Sequence, residues 1–234
     1  MKFLTIDVSA NVTVGVCEAA DGKVKQLSVA QSADGRHHVE VLSPLVSKVL
    51  AEAQVKVPDA IVAGTGPAAF TGLRAGLVTA RTLAAAWNIP LYGLSSPEIL
   101  ARAAADKGAD VTVPIIDARR KEIYTLRARP LGADDVEVTE PVRVIAPGVL
   151  AAELKENDAV VAAQTQDLYA DLFPVRMIVS ASPAVMTRLA LSRLARIDAG
   201  ERLSLDARAQ YLRRPDVHGS GSCAQAPAVG NPYR

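Results

Sequence analysis

Cysteine and aromatic residues are scarce in this chain, and neither sign of charge is in excess. Cys17 and Cys223 are the only cysteines in 234 residues. Two are too few for a disulfide framework or a thiolate metal centre, and their scarcity fits a reducing compartment, the cytoplasm. Phe, Trp and Tyr make up 4% of the residues, which leaves few platforms for stacking unpaired bases. Lys and Arg number 26 against 25 Asp and Glu, a net charge of +1. Autonomous nucleic-acid binding calls for a far more basic balance, so any RNA this protein serves is held mainly by something else. No apolar run approaches the roughly 18 residues of a membrane span. The opening Met1-Lys2-Phe3-Leu4-Thr5-Ile6-Asp7 reaches a carboxylate before a signal-peptide core can form.

Half of the residues are hydrophobic, enough for a sizeable core, and the length fits one large or two small domains. Strand-like segments come first, at 3–6, 12–17 and, after an Asp21-Gly22 hairpin turn, about 24–30. Apolar residues at Val39, Leu42, Leu45, Val46, Val49, Leu50 and Ala53 predict a helix over 37–54. A strand at 60–63, a helix at 72–87, a strand at 91–94 and a helix at 97–105 complete the first half. The second half opens with strands at 111–116 and 122–127 and extended segments at 136–138 and 142–144. A helix at 147–155, a strand at 159–162, a short helix, a strand at 177–179 and a helix at 183–199 follow. Three strands, helix, strand, helix thus occurs twice, which predicts a two-lobed mixed-sheet α/β protein with lobes 1–106 and 107–214. Residues 215–234, rich in Gly, Ser and Pro, read as a disordered tail.

The most informative stretch is Gly64-Thr65-Gly66-Pro67-Ala68-Ala69-Phe70-Thr71-Gly72-Leu73-Arg74-Ala75-Gly76, which joins the strand at 60–63 to the helix at 72–87. Gly64 and Gly66 permit backbone angles and close approaches that side chains forbid, and Thr71 is placed to cap the helix. A strand, a Gly-rich turn and a helix N-terminus form either an anion site or a tight turn with no ligand. The spacing alone leaves both open.

Asp7 and Asp117 each end the first strand of a half. Facing each other across a cleft, they would hold a hydrated metal and nucleotide phosphates; otherwise each caps its own turn. Val8-Ser9-Ala10-Asn11 and Ala118-Arg119-Arg120-Lys121, which follow them, lack the glycine of a phosphate-cradling hairpin. The three cations read as a solvated turn or as a contact for a phosphate or carboxylate. Asp7, Gly66, Thr71, Asp117 and Arg119 are therefore the candidate ligand-binding residues. No catalytic or metal-ligating set is evident: His37-His38 have only Glu40 nearby, and Ser9, Ser95 and Ser96 have no His-plus-acid partners in sequence.

Gly72, Ala75, Gly76 and Thr79 give the helix at 72–87 a low-relief face. The helix that starts at His37 carries more apolar positions than one buried stripe requires, Val41 and Leu45 among them. These seven residues are the candidate surface for a partner's helices. The alternative is that the small residues fit the chain's own sheet.

Four segments carry a family resemblance. Gly66-Pro67-Ala68-Ala69-Phe70-Thr71-Gly72-Leu73-Arg74-Ala75-Gly76 resembles the GPGSFTGLRIG signature of the bacterial TsaB (YeaZ-like) family, with Ala68-Ala69 in place of Gly-Ser. Leu4-Thr5-Ile6-Asp7 is similar to its opening L-x-I-D, Ile116-Asp117-Ala118-Arg119-Arg120-Lys121-Glu122-Ile123-Tyr124 to its IDARRxEVY segment, and Gln210-Tyr211-Leu212-Arg213 to its closing P-x-Y-L-R. The resemblance implies an actin-like (ASKHA) fold of two related lobes. It also implies a non-catalytic scaffold and dimerisation role in making threonylcarbamoyladenosine in tRNA. The implied partners are a TsaD-like catalytic subunit and a TsaE-like ATPase, or a second copy of the chain when it is alone, with tRNA reached mainly through the complex. No cofactor is expected on this chain alone, while the interface with the partner leaves room for a nucleotide. The catalytic paralogue carries a His-x-x-x-His metal motif where this chain reads Leu94-Ser95-Ser96-Pro97-Glu98-Ile99-Leu100-Ala101, so the ligands for that metal are missing. The competing readings are an ATP-dependent sugar-kinase-like enzyme on the same fold and a degenerate interaction module outside tRNA modification.

Overall fold

The computed structural model describes residues 1–32, 38–68, 70–155 and 159–212. His37 and the tail at 215–234 lie outside the described residues, as does Arg213 of the closing motif. The first meander comprises β1 (Lys2–Asp7), β2 (Val12–Ala20) and β3 (Lys23–Ser32), and α1 (His38–Glu52), β4 (Ala60–Gly64), α2 (Phe70–Trp87), β5 (Leu91–Leu94) and α3 (Ser96–Ala105) follow. The second half runs β6 (Thr112–Asp117), β7 (Ile123–Leu131), β8 (Asp135–Ile145), α4 (Pro147–Leu154), β9 (Val160–Ala163), β10 (Met177–Ile178) and α5 (Pro183–Asp198). Asp21 and Gly22 turn the first hairpin with φ of 51° and 71°, the left-handed pair that matches the twist of the flanking strands.

The repeated order becomes a repeated topology. One sheet has the strand order β3-β2-β1-β4-β5 and the other β8-β7-β6-β9-β10. Each begins as an antiparallel meander and continues as parallel strands. This is the actin-like arrangement that the motifs imply. The central core lies between the sheets, where Phe3, Val62 and Leu94 of one meet Ile116, Tyr124 and Ala162 of the other through α3 and α5. The two helices cross over: α3 follows the first sheet in sequence but packs on β6 and β7, while α5 follows the second and packs on β1, β2 and β3. On the outer face of the first sheet, Leu42, Val46 and Val49 of α1 and Leu73 and Leu77 of α2 cover Leu4, Ile6 and Ile61.

Three expected elements differ. The segments at 136–138 and 142–144 form one strand, β8, with Pro141 inside it; as the edge of its sheet it tolerates a residue without a donor. The short helix expected before β10 is absent, and residues 164–176 form turns. Pro174 disfavours helix at the residue before it, and the Arg176 guanidinium donates to the carbonyls of Gln166, Leu168 and Phe173. Finally, α2 begins at Phe70, so Thr71 sits inside the first turn rather than at the cap, and its side chain falls outside the described ones.

Candidate functional site

Asp7 leaves β1 buried, with 1% of its surface exposed. One carboxylate oxygen accepts from the Ser9 amide at 3.1 Å and the Ser9 hydroxyl at 2.6 Å. The other accepts from the Ser96 hydroxyl at 2.7 Å, at the start of α3. Gly64 closes the remaining side, since a Cβ there would stand 1.9 Å from Asp7 Oδ2. Burial raises the Asp7 pKa above the ordinary carboxylate value, and the hydrogen bonds from Ser9 and Ser96 oppose that rise. Of the two readings of Asp7, the structure therefore fits the one in which it caps its own turn: Ser9 and α3 enclose the carboxylate, and it does not face Asp117 across a cleft.

Asp117 repeats the turn but stays at the surface. Its Oδ1 accepts from the Arg119 amide at 2.8 Å, and its Oδ2 pairs with Arg119 Nη1 at 3.2 Å. Arg119, Arg120 and Lys121 all adopt left-handed backbone, with φ of 62°, 51° and 59°. Ala118 N–H donates to the Glu122 carbonyl at 2.9 Å and closes the turn. Asp117 and Arg119 line an interlobe cavity of about 390 Å³ together with Ser9, Asn11, Gly72 and Gln164. Of the paired aspartates, this cavity receives one. A metal held between the two aspartates needs both carboxylates on one cavity; Asp7 is enclosed and does not line this one, so the pair does not fit that group.

Gly66 turns inward. Its φ is +81°, and a Cβ would meet Leu73 Cδ2 at 2.8 Å. Its carbonyl accepts from Ser96 N–H at 2.9 Å. The glycine lets the loop pack against α2 and α3.

The small-residue face of α2 divides in two. Gly72 and Gly76 are buried, and a Cβ at Gly76 would lie 2.6 Å from Val8 Cγ2. Gly76 is thus corrected from a partner contact to an internal one, because Val8 fills the space it leaves. Ala75 and Thr79 are part-exposed and flank Val78, which is 60% exposed. Val41 and Leu45 of α1 are half-buried against the first lobe's core. The sequence reading missed Val78, although its position three residues after Ala75 and beside Thr79 places it on the same face.

It also missed the course of residues 201–212. This segment returns from α5 to the first lobe as a strap. Gly93 N–H donates to the Leu205 carbonyl at 2.7 Å on the edge of β5, and Gln210 N–H donates to the Thr65 carbonyl at 2.9 Å. Arg81 Nη2 on α2 holds the Ala207 carbonyl at 2.7 Å, and Arg74 Nε donates to the Tyr211 hydroxyl at 3.1 Å. Gly93 has to be glycine because a Cβ would sit 2.5 Å from the Asp206 carbonyl oxygen. The closing motif therefore lies beside the exposed flank of α2.

Comparison with known proteins adds the family context. The family model for TsaD, tRNA N6-adenosine threonylcarbamoyltransferase, matches residues 29–180. An uncharacterized protein of Mycobacterium tuberculosis is 30% identical over 94% of this chain and 95% of its own length. The tRNA threonylcarbamoyladenosine biosynthesis protein TsaB of Bacillus subtilis is 34% identical over 53% of this chain and 54% of its own length. The structure of YeaZ from Pseudomonas aeruginosa superposes with a TM-score of 0.69 at 26% identity, over 90% of this chain and 99% of that one.

Proposed function

The chain belongs to the TsaB/YeaZ-like family, and on that premise we propose that it is a non-catalytic subunit in the biosynthesis of tRNA threonylcarbamoyladenosine. The observation that carries the non-catalytic reading is the enclosure of Asp7 by Ser9, Ser96 and Gly64. A carboxylate hydrogen-bonded on both oxygens and packed against the Gly64 backbone leaves no room beside it for a hydrated metal. Ser95 and Ser96, which stand in the region of the paralogue's metal motif, bond to the chain's own Gly66 carbonyl and Asp7.

The partner is a TsaD-like catalytic subunit, and the chain docks on it through the outer faces of α1 and α2. Val78, Ala75 and Thr79 supply the exposed surface, backed by Val41 and Leu45. A second copy of the chain occupies the same face in the partner's absence. A TsaE-like ATPase joins the assembled complex, tRNA is reached through it, and the complex works in the cytoplasm. No helix among the described residues is long and apolar enough to cross a membrane. We keep 1–106 and 107–214 as the lobe boundaries, with α3 as the helix that links them. Co-purification tests the docking surface. Val78→Glu folds as the native chain does and loses both the TsaD-like partner and self-association; unchanged binding by that variant contradicts the proposed face.

A further inference from the structure

Beside the cavity at Asp117 and Arg119 lies a second one of about 380 Å³, and the two share Asn11 and Gln164 on their walls. Thr13 and Gln31 of the first sheet and Ser180 and Ser182 before α5 complete its polar lining. Val179 and Val185 give it an apolar side. Both charged residues on the wall are engaged elsewhere. Asp106 pairs with Arg102 at 2.9 Å and with Arg188, and Lys107 Nζ donates to the Ile178 carbonyl at 2.7 Å. What remains is a set of amides and hydroxyls, neutral at every physiological pH.

One atom of this set is unsatisfied. Gln164 Oε1 is buried and has no hydrogen-bond partner. Buried acceptors are almost always satisfied, because leaving one unpaired forfeits its hydration. Gln164 follows β9 directly and lies on the wall that the two cavities share. A buried acceptor on that shared wall calls for an O–H or N–H donor from outside the chain.

We infer that this groove binds a small neutral molecule rich in hydroxyl or amide donors, of the sugar, polyol or nucleoside class, which donates to Gln164 Oε1. Its ring or carbon face lies against Val179 and Val185, and the amides of Asn11 and Gln31 engage its remaining polar groups. A carboxylate or fully ionised phosphate group is not the recognised feature, because it brings no hydrogen to donate to the unsatisfied Gln164 Oε1. The inference is independent of how the chain docks on other proteins.

Side-chain amide NMR signals of the full chain, titrated with ribose, myo-inositol, adenosine and inorganic phosphate, test it. At least one neutral probe moves the Asn11, Gln31 and Gln164 amides saturably, and phosphate alone does not. Gln164→Leu weakens that binding about tenfold, the effect of losing one buried hydrogen bond to ligand, while its melting temperature is not lowered. Gln31→Leu, on the opposite wall, weakens it as well. Absence of saturable shifts with all three neutral probes overturns the inference. So does a phosphate response at the same amides, unchanged affinity in Gln164→Leu, or a lowered melting temperature in that variant, which would mean that Gln164 is satisfied within the fold.

Discussion

Gly64 and Asp7 compete for one space: a Cβ on Gly64 would fall 1.9 Å from the Asp7 carboxylate. Asp7 cannot retreat, because Ser9 and Ser96 hold both of its oxygens. Gly64→Ala is therefore expected to destabilise the fold by about 1–3 kcal/mol, the usual cost of overpacking, read from urea unfolding. A variant as stable as the native chain would mean that the carboxylate is free to move.

The raised pKa of Asp7 has a consequence for pH. The folded chain holds the proton above the pH at which the unfolded chain releases it. The stability tied to this proton is therefore complete below the unfolded carboxylate pKa and is lost as pH rises through the folded one. Asp7→Asn removes the titration. Its stability relative to the native chain should rise with pH across that window and then level off. Chemical denaturation at several pH values from the acid limit to neutrality measures this; parallel profiles would show that Asp7 ionises normally in the fold.

Packing on Val8 decides what Gly76→Leu does. The sequence alone allows this change to separate association from folding. With Val8 Cγ2 only 2.6 Å from the new Cβ, the variant should instead lose folding. Circular dichroism of Gly76→Leu beside Val78→Glu distinguishes the two positions: the first unfolds at lower temperature, the second melts as the native chain does. A native melting curve for Gly76→Leu would restore the partner-facing reading.

Much of the architecture is legible in the sequence because it rests on local signals. The Asp21-Gly22 turn, the apolar spacing of α1 and the prolines opening α3, α4 and α5 fix elements from nearby residues. The repeated order of elements likewise anticipates the repeated sheet. The candidate site was less legible because its contacts are long-range. Nothing near Asp7 in sequence announces Ser96 or Gly64, and nothing in the run at 201–212 announces that it crosses back to β5 and α2. Gly76 shows the same limit: a small-residue stripe marks close packing, and only the fold shows that its close neighbour is Val8.

Asp135 is 1% exposed and joins the elements that cross between the lobes. It accepts from Arg193 Nη2 at 3.0 Å and Arg196 Nη1 at 2.6 Å on α5, while its carbonyl accepts from Arg102 Nη1 on α3 at 3.1 Å. Asp135→Ala leaves the largely buried Arg193 with Glu98 as its remaining carboxylate. A loss of about 3–5 kcal/mol is expected, as for other broken buried pairs, measured by thermal or urea unfolding. A loss below about 1 kcal/mol, the range of exposed pairs, would show that the cluster is solvated.

The central claim is that this chain supports threonylcarbamoyl transfer without performing it. Reconstitution tests it most directly, with tRNA and threonylcarbamoyl adenylate supplied to the chain alone, to a TsaD-like subunit alone and to the two together, and the modified nucleoside quantified. The account predicts no product from the chain alone and a marked gain when it joins the catalytic subunit. Product from the isolated chain, or full activity of the catalytic subunit without it, would contradict the account.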